Sequence, residues 1–571
     1  MMLCLLAALV PLAFAAPLFE PYIATKEILI QAGTATILLL WLLTARANSW
    51  TLPLTSAWIP LLALALIGAA SMLWPSSLSP SREEGRRLLT YLLLFALALH
   101  VMRRAESRSM LATALVLAGA IEAVYVLLQY SFGDPIFLTA QLAGKWQTFG
   151  TLGNPNWTGE FLAVAALVSL GRLIDLRKAA APQAARSWQR RLTLVALILM
   201  LLALAATMAR GAGLAFIIGA AAFLFARRRY GNAQLRLKSS ILPLVITAAA
   251  GVVIILLPLL SNQAAINHLL NFKSMRGRIW MWAVTWTMIR DAPWGGHGLG
   301  TFGLQFPLYQ ARAFSRNWSA PFIANASFTS YPHNDYLQLW AELGLFGLLA
   351  FGALIWIVLK RGRVLAGDPL ALGCWAAVIS LLINAAVAFP LHLPTTLMLF
   401  VVLVAVVEGT VSKKRVGLSK SALARFAIVL LILVSCFQAY RSSYHRLASE
   451  SALWRADAAL QSQRWNEAET YITNAIQHAP TRLDGQAMLG RLDLERGENT
   501  EALTALNQAM KLGFDVSVYD WKATALERIG HRAEALATLN ELLWLRPDLQ
   551  WPRERLSSLQ QADEIHEESK R

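Results

Sequence analysis

Long apolar stretches, separated by short polar connections, dominate the chain up to about residue 440. A helix of about 20 apolar residues is long enough to cross the hydrocarbon core of a bilayer. The pattern therefore predicts an all-α, polytopic membrane domain over residues 1–440 with about 12–13 transmembrane helices. The thirteen candidate stretches are 2–19, 28–45, 54–74, 87–102, 110–130, 157–175, 192–209, 211–226, 241–260, 337–359, 370–389, 395–411 and 423–440.

The first apolar stretch allows two interpretations. It ends in small residues between Ala13 and Pro17, as a cleaved signal peptide does. However, no Lys or Arg precedes Lys26, so the basic segment that begins most signal peptides is missing. We therefore expect a retained first helix.

From about residue 445 the pattern changes to polar, amphipathic helix with an internal repeat. Ala468, Ala502 and Ala535 are spaced 34 and 33 residues apart, and Gly497 and Gly530 are 33 apart. Each unit reads as helix, turn, helix, with a small residue where the two helices touch. This resembles the tetratricopeptide (TPR) repeat over about residues 449–547, although Phe514 stands where the pattern has Pro. We predict a TPR-like domain over residues 445–571, and such repeats bind partners; an unrelated helical bundle is the alternative.

Composition agrees with a membrane protein. The 571 residues are 56% hydrophobic and 15% charged, with a mean hydropathy of +0.48. The formal charge of +17 divides into +21 before Arg441 and −4 from it onward. The basic residues thus lie beside apolar spans, where they set membrane orientation, so nucleic-acid binding is not indicated. The three cysteines all fall in apolar runs, which excludes a disulfide framework.

The distribution of positive charge predicts which connections face the cytoplasm. With a cytoplasmic N-terminus, alternate connections are rich in Lys and Arg, as the positive-inside rule requires. Arg82, Arg86 and Arg87 are exceptions because they fall on the opposite side. We therefore expect a bacterial inner-membrane protein in which loops 131–156 and 261–336 and the C-terminal tail are periplasmic. One miscounted helix in 395–440 would place the tail on the opposite, cytoplasmic side of the membrane.

The first candidate site is the segment "TFGTLGNPNWTGEFLA", residues 148–163. Asn154 and Asn156 offer amide groups just before a helix, where free backbone N–H groups suit an anionic ligand. A plain Asn-Pro helix cap is the equal alternative. Glu160 follows one turn into the helix, and an intramembrane carboxylate requires a partner or water.

The second and third candidate sites carry arginines and a histidine. Arg210, in "ATMARGAG", separates two apolar runs, and a buried Arg there could grip a phosphate with two parallel N–H bonds. An interfacial Arg reaching to headgroups is the alternative. In the long loop, Arg276 and Arg278 open an amphipathic helix and are candidates for anion binding. His333, in "SYPHNDYLQLWAELGLFG", can accept a proton near neutral pH, and Asp335 is a candidate to orient it. A structural role for a single interfacial His is the alternative.

Together these segments resemble the O-antigen ligase family (the Wzy C-terminal-domain superfamily). The resemblance is carried by the "RG" hairpin, by "GR-W-AV-MI-D-P-G-G-GTF" and by "HNDYLQLWAELGLFG", over roughly residues 140–405. It implies a GT-C-like fold and a glycan donor on undecaprenyl diphosphate. It also implies that His333 is the base and that Arg210 and Arg278 bind the diphosphate, with Arg276 as the alternative to Arg278. We include Asn154, Asn156, Glu160, Asn334 and Asp335 as substrate-binding candidates.

The chemistry of the residues is consistent with this. Sugar transfer from a diphosphate needs a base for the acceptor and positive charge for the leaving group. The chain contains no Asp-x-Asp pair, so we expect transfer without a metal ion or cofactor. The acceptor is a hydroxyl of lipid A core, of another glycan or of a protein; the TPR-like tail favours a protein acceptor or an assembly complex. A transporter or an envelope scaffold is the alternative of another class, although a transporter would place polar groups near the bilayer midplane.

Overall fold

The computed structural model describes residues 1–44, 51–73, 78–134, 148–177, 183–231, 273–316, 322–324, 329–412, 414–417 and 421–568. As predicted, the protein is all-α, with one exception. Two three-residue strands, β1 (Thr51–Pro53) and β2 (Arg415–Gly417), pair antiparallel with Leu52 opposite Val416.

The helices follow the apolar pattern of the sequence. They are α1 (Met2–Leu12), α2 (Ile23–Thr44), α3 (Trp58–Ser71), α4 (Leu78–Val101), α5 (Ala105–Phe132), α6 (Pro155–Asp175), α7 (Gln183–Ala206), α8 (Arg210–Tyr230), α9 (Lys273–Asp291), α10 (Phe302–Phe314), α11 (Asp335–Leu365), α12 (Pro369–Asn384), α13 (Pro394–Val411), α14 (Ala422–Gln461), α15 (Trp465–His478), α16 (Leu483–Arg496), α17 (Asn499–Leu512), α18 (Val516–Arg528), α19 (Arg532–Leu545) and α20 (Trp551–Glu568).

Every predicted span within the described residues coincides with a helix; the span predicted at 241–260 lies outside them. Eight helices of the described chain are long and apolar enough to cross a membrane, and α1, α3 and α12 are shorter apolar helices. The protein is thus a multi-pass membrane protein. The first span is shorter than predicted because α1 ends at Leu12, and Pro17 and Pro21 follow, where proline prevents a helix from continuing.

Helices α6 and α12 form the centre of the membrane domain. Nearly every side chain of both helices is buried, so neither presents a continuous face to lipid. Their backbones cross closely: a Cβ on Gly171 would lie 2.5 Å from the Pro369 carbonyl oxygen, and one on Gly373 would lie 2.9 Å from the Gly171 Cα. Small residues permit this close approach in membranes, where dispersion contacts replace the hydrophobic effect as the main source of helix association.

The C-terminal tail is a row of antiparallel helix pairs that begins inside a continuous helix. The 40-residue helix α14 runs from the apolar span into the tail, across the boundary predicted at 440–445. Helices α15, α17 and α19 begin 34 and 33 residues apart. Ala468, Ala502 and Ala535 are fully buried in them, as expected for residues at helix–helix contacts. The predicted period is therefore present in the structure.

The tail packs against the membrane domain at two places. Arg446 of α14 forms ion pairs with Glu20, before α2, and with Glu83 of α4, at 2.9 and 3.0 Å. Ala311 of α10 is buried against Tyr519 and against Leu542 and Leu545 of α19. Since α10 belongs to the same predicted loop as His333, the tail lies on the His333 side of the membrane domain.

Candidate functional site

His333 lies in a tight turn that joins an extended segment to the start of α11. Its φ of 54° is in the left-handed region, which non-glycine residues seldom adopt outside constrained sites. Asn334 caps the helix: its Oδ1 accepts a hydrogen bond from the Leu337 amide at 3.0 Å, and its Nδ2 donates to the Ala386 carbonyl at 3.0 Å. The Asp335 amide donates to the Ala385 carbonyl at 2.9 Å. The turn is therefore fixed to the end of α12.

The aromatic ring of Phe389 packs edge-on against the His333 imidazole, with centroids 4.8 Å apart. Tyr331 stacks on Phe389 at 4.7 Å, and Trp157 of α6 contacts it at 6.4 Å. The ring of His333 is thus partly buried among aromatic side chains from three segments, which restricts its orientation.

Asp335 binds His392. Its Oδ1 lies 2.6 Å from His392 Nδ1, and its Oδ2 accepts from the Leu391 amide at 3.0 Å. The sequence interpretation paired Asp335 with His333; in the structure both of its oxygens are engaged by the segment before α13. His392 was not singled out from the sequence, although "PLHLP" is one polar residue in an apolar run, which is the signal that could have indicated it.

The electrostatic environments of the two histidines differ. Burial, and then the charge of Arg278, lower the pKa of His333 to about 4, so the imidazole is neutral near pH 7. Burial also opposes the charged form of His392, but the hydrogen bond and charge of Asp335 outweigh it and raise the pKa of His392. His333 is therefore in the form that can accept a proton.

Arg278 is held beside His333 by α9. Trp282, one turn further along this helix, donates its Nε1–H to the Pro332 carbonyl at 2.9 Å. Trp280 is fully buried; its Nε1–H donates to Gln310 Oε1 at 3.0 Å, and its ring stacks on Phe314. Two tryptophans thus fix α9 to the His333 turn and to α10. Arg278 is half-buried, whereas Arg276 is exposed, so the structure favours Arg278 as the arginine of the site.

Arg210 is the first residue of α8. The turn before it is tight, with Met208 at φ 54°. Burial, and then the positive charge of Arg210, lower the pKa of Arg278, so the two guanidinium groups lie within electrostatic range of each other. Two arginines from helices far apart in sequence thus share one site, together with the N-terminus of α8, which favours anions.

Glu160 is buried in α6. Its Oε1 accepts a hydrogen bond from Asn384 Nδ2 at 2.6 Å, while its Oε2 has no hydrogen-bond partner among the described residues. It is within electrostatic range of Arg278 and Asp335. A Cβ on Gly211 would lie 2.7 Å from Asn384 Oδ1, so this amide packs against the backbone next to Arg210. Asn384 therefore links Glu160 to the start of α8.

Asn154 and Asn156 mark the start of α6. Asn154 Oδ1 accepts from the Asn156 amide at 2.9 Å, as a helix cap does, and the Asn156 side chain is exposed. The preceding turn is fixed by α5: the Gly150 and Thr151 amides donate to Gln129 and Glu122, both at 2.9 Å. The structure thus assigns Asn154 to capping and brings the start of α6 to Phe389 through Trp157.

The glycine-rich segment before α10 inserts into a break in α11. Gly344 interrupts the helix with φ 67° and ψ −171°. The Leu345 amide donates to the Pro293 carbonyl at 2.8 Å, and the His297 and Gly298 amides donate to the Ala341 and Glu342 carbonyls at 2.9 Å. The Glu342 side chain accepts from the Gly300 amide at 2.9 Å. These contacts lock the loop bearing α9 and α10 to the helix that His333 begins.

Across the described part of the chain, no group of three or more His, Cys, Asp or Glu side chains is arranged to hold a metal ion. Transfer without a metal remains a prediction.

The comparison with known families matches this region. Residues 195–352 match the family model of the O-antigen ligase. The matched O-antigen ligase segment begins in α7 and ends in α11, so it includes Arg210, Arg278 and His333. Glu160, Asn384 and His392 lie outside it. The family expected from the sequence is therefore confirmed for this segment, and it supports a membrane glycan ligase or polymerase activity. No curated protein matches the chain.

Proposed function

We propose that this protein transfers a glycan from an undecaprenyl-diphosphate carrier to an acceptor hydroxyl on the His333 face of the membrane. The observation that carries the proposal is the convergence of a neutral histidine with Arg278 and Arg210, contributed by three separate elements. A base and paired positive charges are the two components that such a transfer needs.

In this reaction the acceptor oxygen forms a bond to the anomeric carbon of the donor sugar. The bond from that carbon to the diphosphate oxygen breaks, and its electron pair leaves with undecaprenyl diphosphate. His333 accepts the proton of the acceptor hydroxyl, and the two arginines stabilise the charge on the departing diphosphate. No metal is needed for this balance, because the guanidinium groups supply the positive charge.

The location follows from the same assignment. We place the protein in the bacterial inner membrane, with His333 and the tail in the periplasm, where lipid-linked glycans are presented. The burial of Ala311 against α19 supports a common side for the tail and the His333 loop, since α10 immediately follows α9 on that side.

For the acceptor, the tail is the informative feature. Helix pairs repeating every 33–34 residues are typical of surfaces that bind other proteins. This favours a protein acceptor or an assembly complex over lipid A core alone, with glycan polymerisation as the other candidate. Glycoproteomics of periplasmic proteins with and without the gene tests it; unchanged glycosylation would remove the protein acceptor.

The transfer activity is tested in proteoliposomes that contain a lipid-diphosphate glycan and a hydroxyl acceptor. His333→Asn is the preferred variant beside His333→Ala, because Asn tolerates the left-handed conformation of this turn. We expect both variants to lose about 100-fold or more in rate. Wild-type activity in both variants would eliminate His333 as the base, and no transfer by the wild type with any such donor would favour a transporter or scaffold.

A further inference from the structure

A cavity of about 260 Å³ lies away from His333, between α2, α4 and α14. Its lining changes in polarity from one end to the other. Gln31, Arg86 and Ser442 are nearest the His333 side, and Leu38, Leu93 and Leu431 line the part deeper in the membrane. The polarity of the cavity therefore matches that of an amphipathic molecule, with a polar end at the surface and an apolar end inside.

Arg86 is one of the arginines that contradict the positive-inside pattern. Its neighbour Arg87 is accounted for, because it pairs with Glu84 and donates to the His392 carbonyl. Arg86, in contrast, forms no ion pair with the described residues, although it stands at the rim of the cavity. A cation on this side of the membrane, without a protein partner, is available to a phosphate.

Thr34 supplies an independent observation. Its hydroxyl is buried, with the residue 2% exposed, and has no hydrogen-bond partner among the described residues. Thr34 lines the cavity together with Thr90, Ser435 and Gln438. The Thr90 and Ser435 hydroxyls donate to the Arg86 and Leu431 carbonyls of their own helices, so Thr34 is the unpartnered hydroxyl among them. A buried hydroxyl is costly without a partner, so the environment of Thr34 fits a ligand with ester or hydroxyl oxygens below its headgroup.

Carboxylates near Arg86 determine which kind of lipid headgroup the cavity would accept. Glu83 lies one turn before Arg86 on α4 and is half-exposed, and Glu27 precedes Gln31 by one turn on α2. Both are paired with Arg446, which also pairs with Glu20 and Glu450. Arg482 pairs with Glu20 and Glu450 as well, so two arginines face these four carboxylates and the cluster stays acidic. A purely anionic headgroup would be repelled here. A headgroup with a phosphate for Arg86 and an ammonium for Glu83 is complementary to both.

We infer that this cavity binds a zwitterionic phospholipid with a primary ammonium, of the phosphatidylethanolamine class. The phosphate binds Arg86, the ammonium lies toward Glu83, and an acyl chain fills the space between α4 and α14. Such a lipid would join α14, whose outward side chains such as Leu423 and Phe426 are exposed, to the rest of the membrane domain. It would thereby support the helix that carries the tail. This inference does not depend on the transfer reaction.

Native mass spectrometry of the full chain tests the inference. The protein is purified and exchanged into detergent micelles that contain equimolar phosphatidylethanolamine and phosphatidylglycerol, and the retained lipids are counted. We expect the wild type to retain phosphatidylethanolamine in at least several-fold excess. Arg86→Gln should lose this lipid, whereas Arg82→Gln, an exposed arginine one turn earlier on α4, should retain it. Glu83→Gln should shift the preference toward phosphatidylglycerol.

A variant that fills the cavity separates binding from folding. Leu93→Trp leaves the charges intact and should also reduce the retained lipid, with size-exclusion chromatography confirming a folded protein for every variant. Equal retention of the two lipids by the wild type, equal losses in Arg86→Gln and Arg82→Gln, or full retention in Leu93→Trp would each overturn the inference. Preference for phosphatidylglycerol would replace it with an anionic-lipid site.

Discussion

The Asp335 carboxylate and the His392 imidazole lie 2.6 Å apart, Oδ1 to Nδ1, and connect the start of α11 to the segment before α13. Only Asn334 separates Asp335 from His333, so this pair fixes the turn that presents the histidine. Asp335 is buried, and its second oxygen accepts from the Leu391 amide at 3.0 Å. The carboxylate is therefore a positioning group for the site.

The pair predicts a pH dependence of stability. The pKa of His392 is raised in the folded protein by Asp335, against the effect of burial. A group whose pKa is raised in the folded state contributes its full stabilisation of the fold at pH values below its unfolded pKa of about 6.5. This stabilisation is lost as the pH rises through the folded-state pKa. We expect wild-type thermal stability in detergent to fall over this window and Asp335→Asn to be less stable by about 1–3 kcal/mol at pH 6. An identical pH slope in the two proteins would contradict the assignment.

Arg278 and Arg276 provide a matched pair two residues apart on α9. Arg278 is half-buried and lies within electrostatic range of Arg210 and His333, whereas Arg276 is exposed. Arg278→Gln should lower the transfer rate about 100-fold or more, because the charge on the leaving diphosphate loses a partner. Arg276→Gln should stay within a few-fold of the wild type. The reverse order would assign the diphosphate to Arg276.

A third prediction concerns the acid limb of the pH–rate profile of the transfer reaction, where the rate falls at low pH. The pKa of His333 is lowered to about 4 by burial and by Arg278, and only the neutral imidazole accepts a proton. We expect kcat/KM, which reports the free enzyme, to remain flat on acidification to about pH 5 and to fall toward pH 4. In Arg278→Lys, which keeps a positive charge, the residual activity should keep this limb; in Arg278→Gln the limb should move to higher pH. A wild-type limb near pH 6.5 would mean that another group is the base.

The break in α11 is testable with two glycines of one helix. Gly344 has a φ of 67°, and a Cβ there would lie 2.0 Å from the Trp294 carbonyl oxygen, so Gly344→Ala forces the glycine-rich segment away. We expect loss of folded protein or a destabilisation of at least about 1–3 kcal/mol. Gly352, on the same helix, has open space around its Cβ position, so Gly352→Ala should be neutral or stabilising by up to about 1 kcal/mol. Thermal unfolding in detergent distinguishes the two, and equal melting temperatures would contradict the role of Gly344.

The apolar pattern determined the membrane class, the positions of the helices and the 33–34-residue period of the tail, because span length and helical periodicity are local properties of the sequence. The resemblance to the O-antigen ligase family made His333, Arg210 and Arg278 the candidates for the site. The choice between Arg276 and Arg278 was open, since both lie near the start of an amphipathic helix and only packing of α9 against the His333 turn separates them.

Tertiary structure alone decided the partners of the charged groups. Asp335 follows His333 closely in sequence, yet the start of α11 turns its carboxylate toward His392, 57 residues away. Glu160 meets Asn384 across 224 residues because α6 and α12 cross at the centre of the domain. Arg86, adjacent in sequence to the paired Arg87, stands instead at the rim of a cavity. Sequence thus determined which residues could carry the chemistry, and the crossing of helices determined which of them meet.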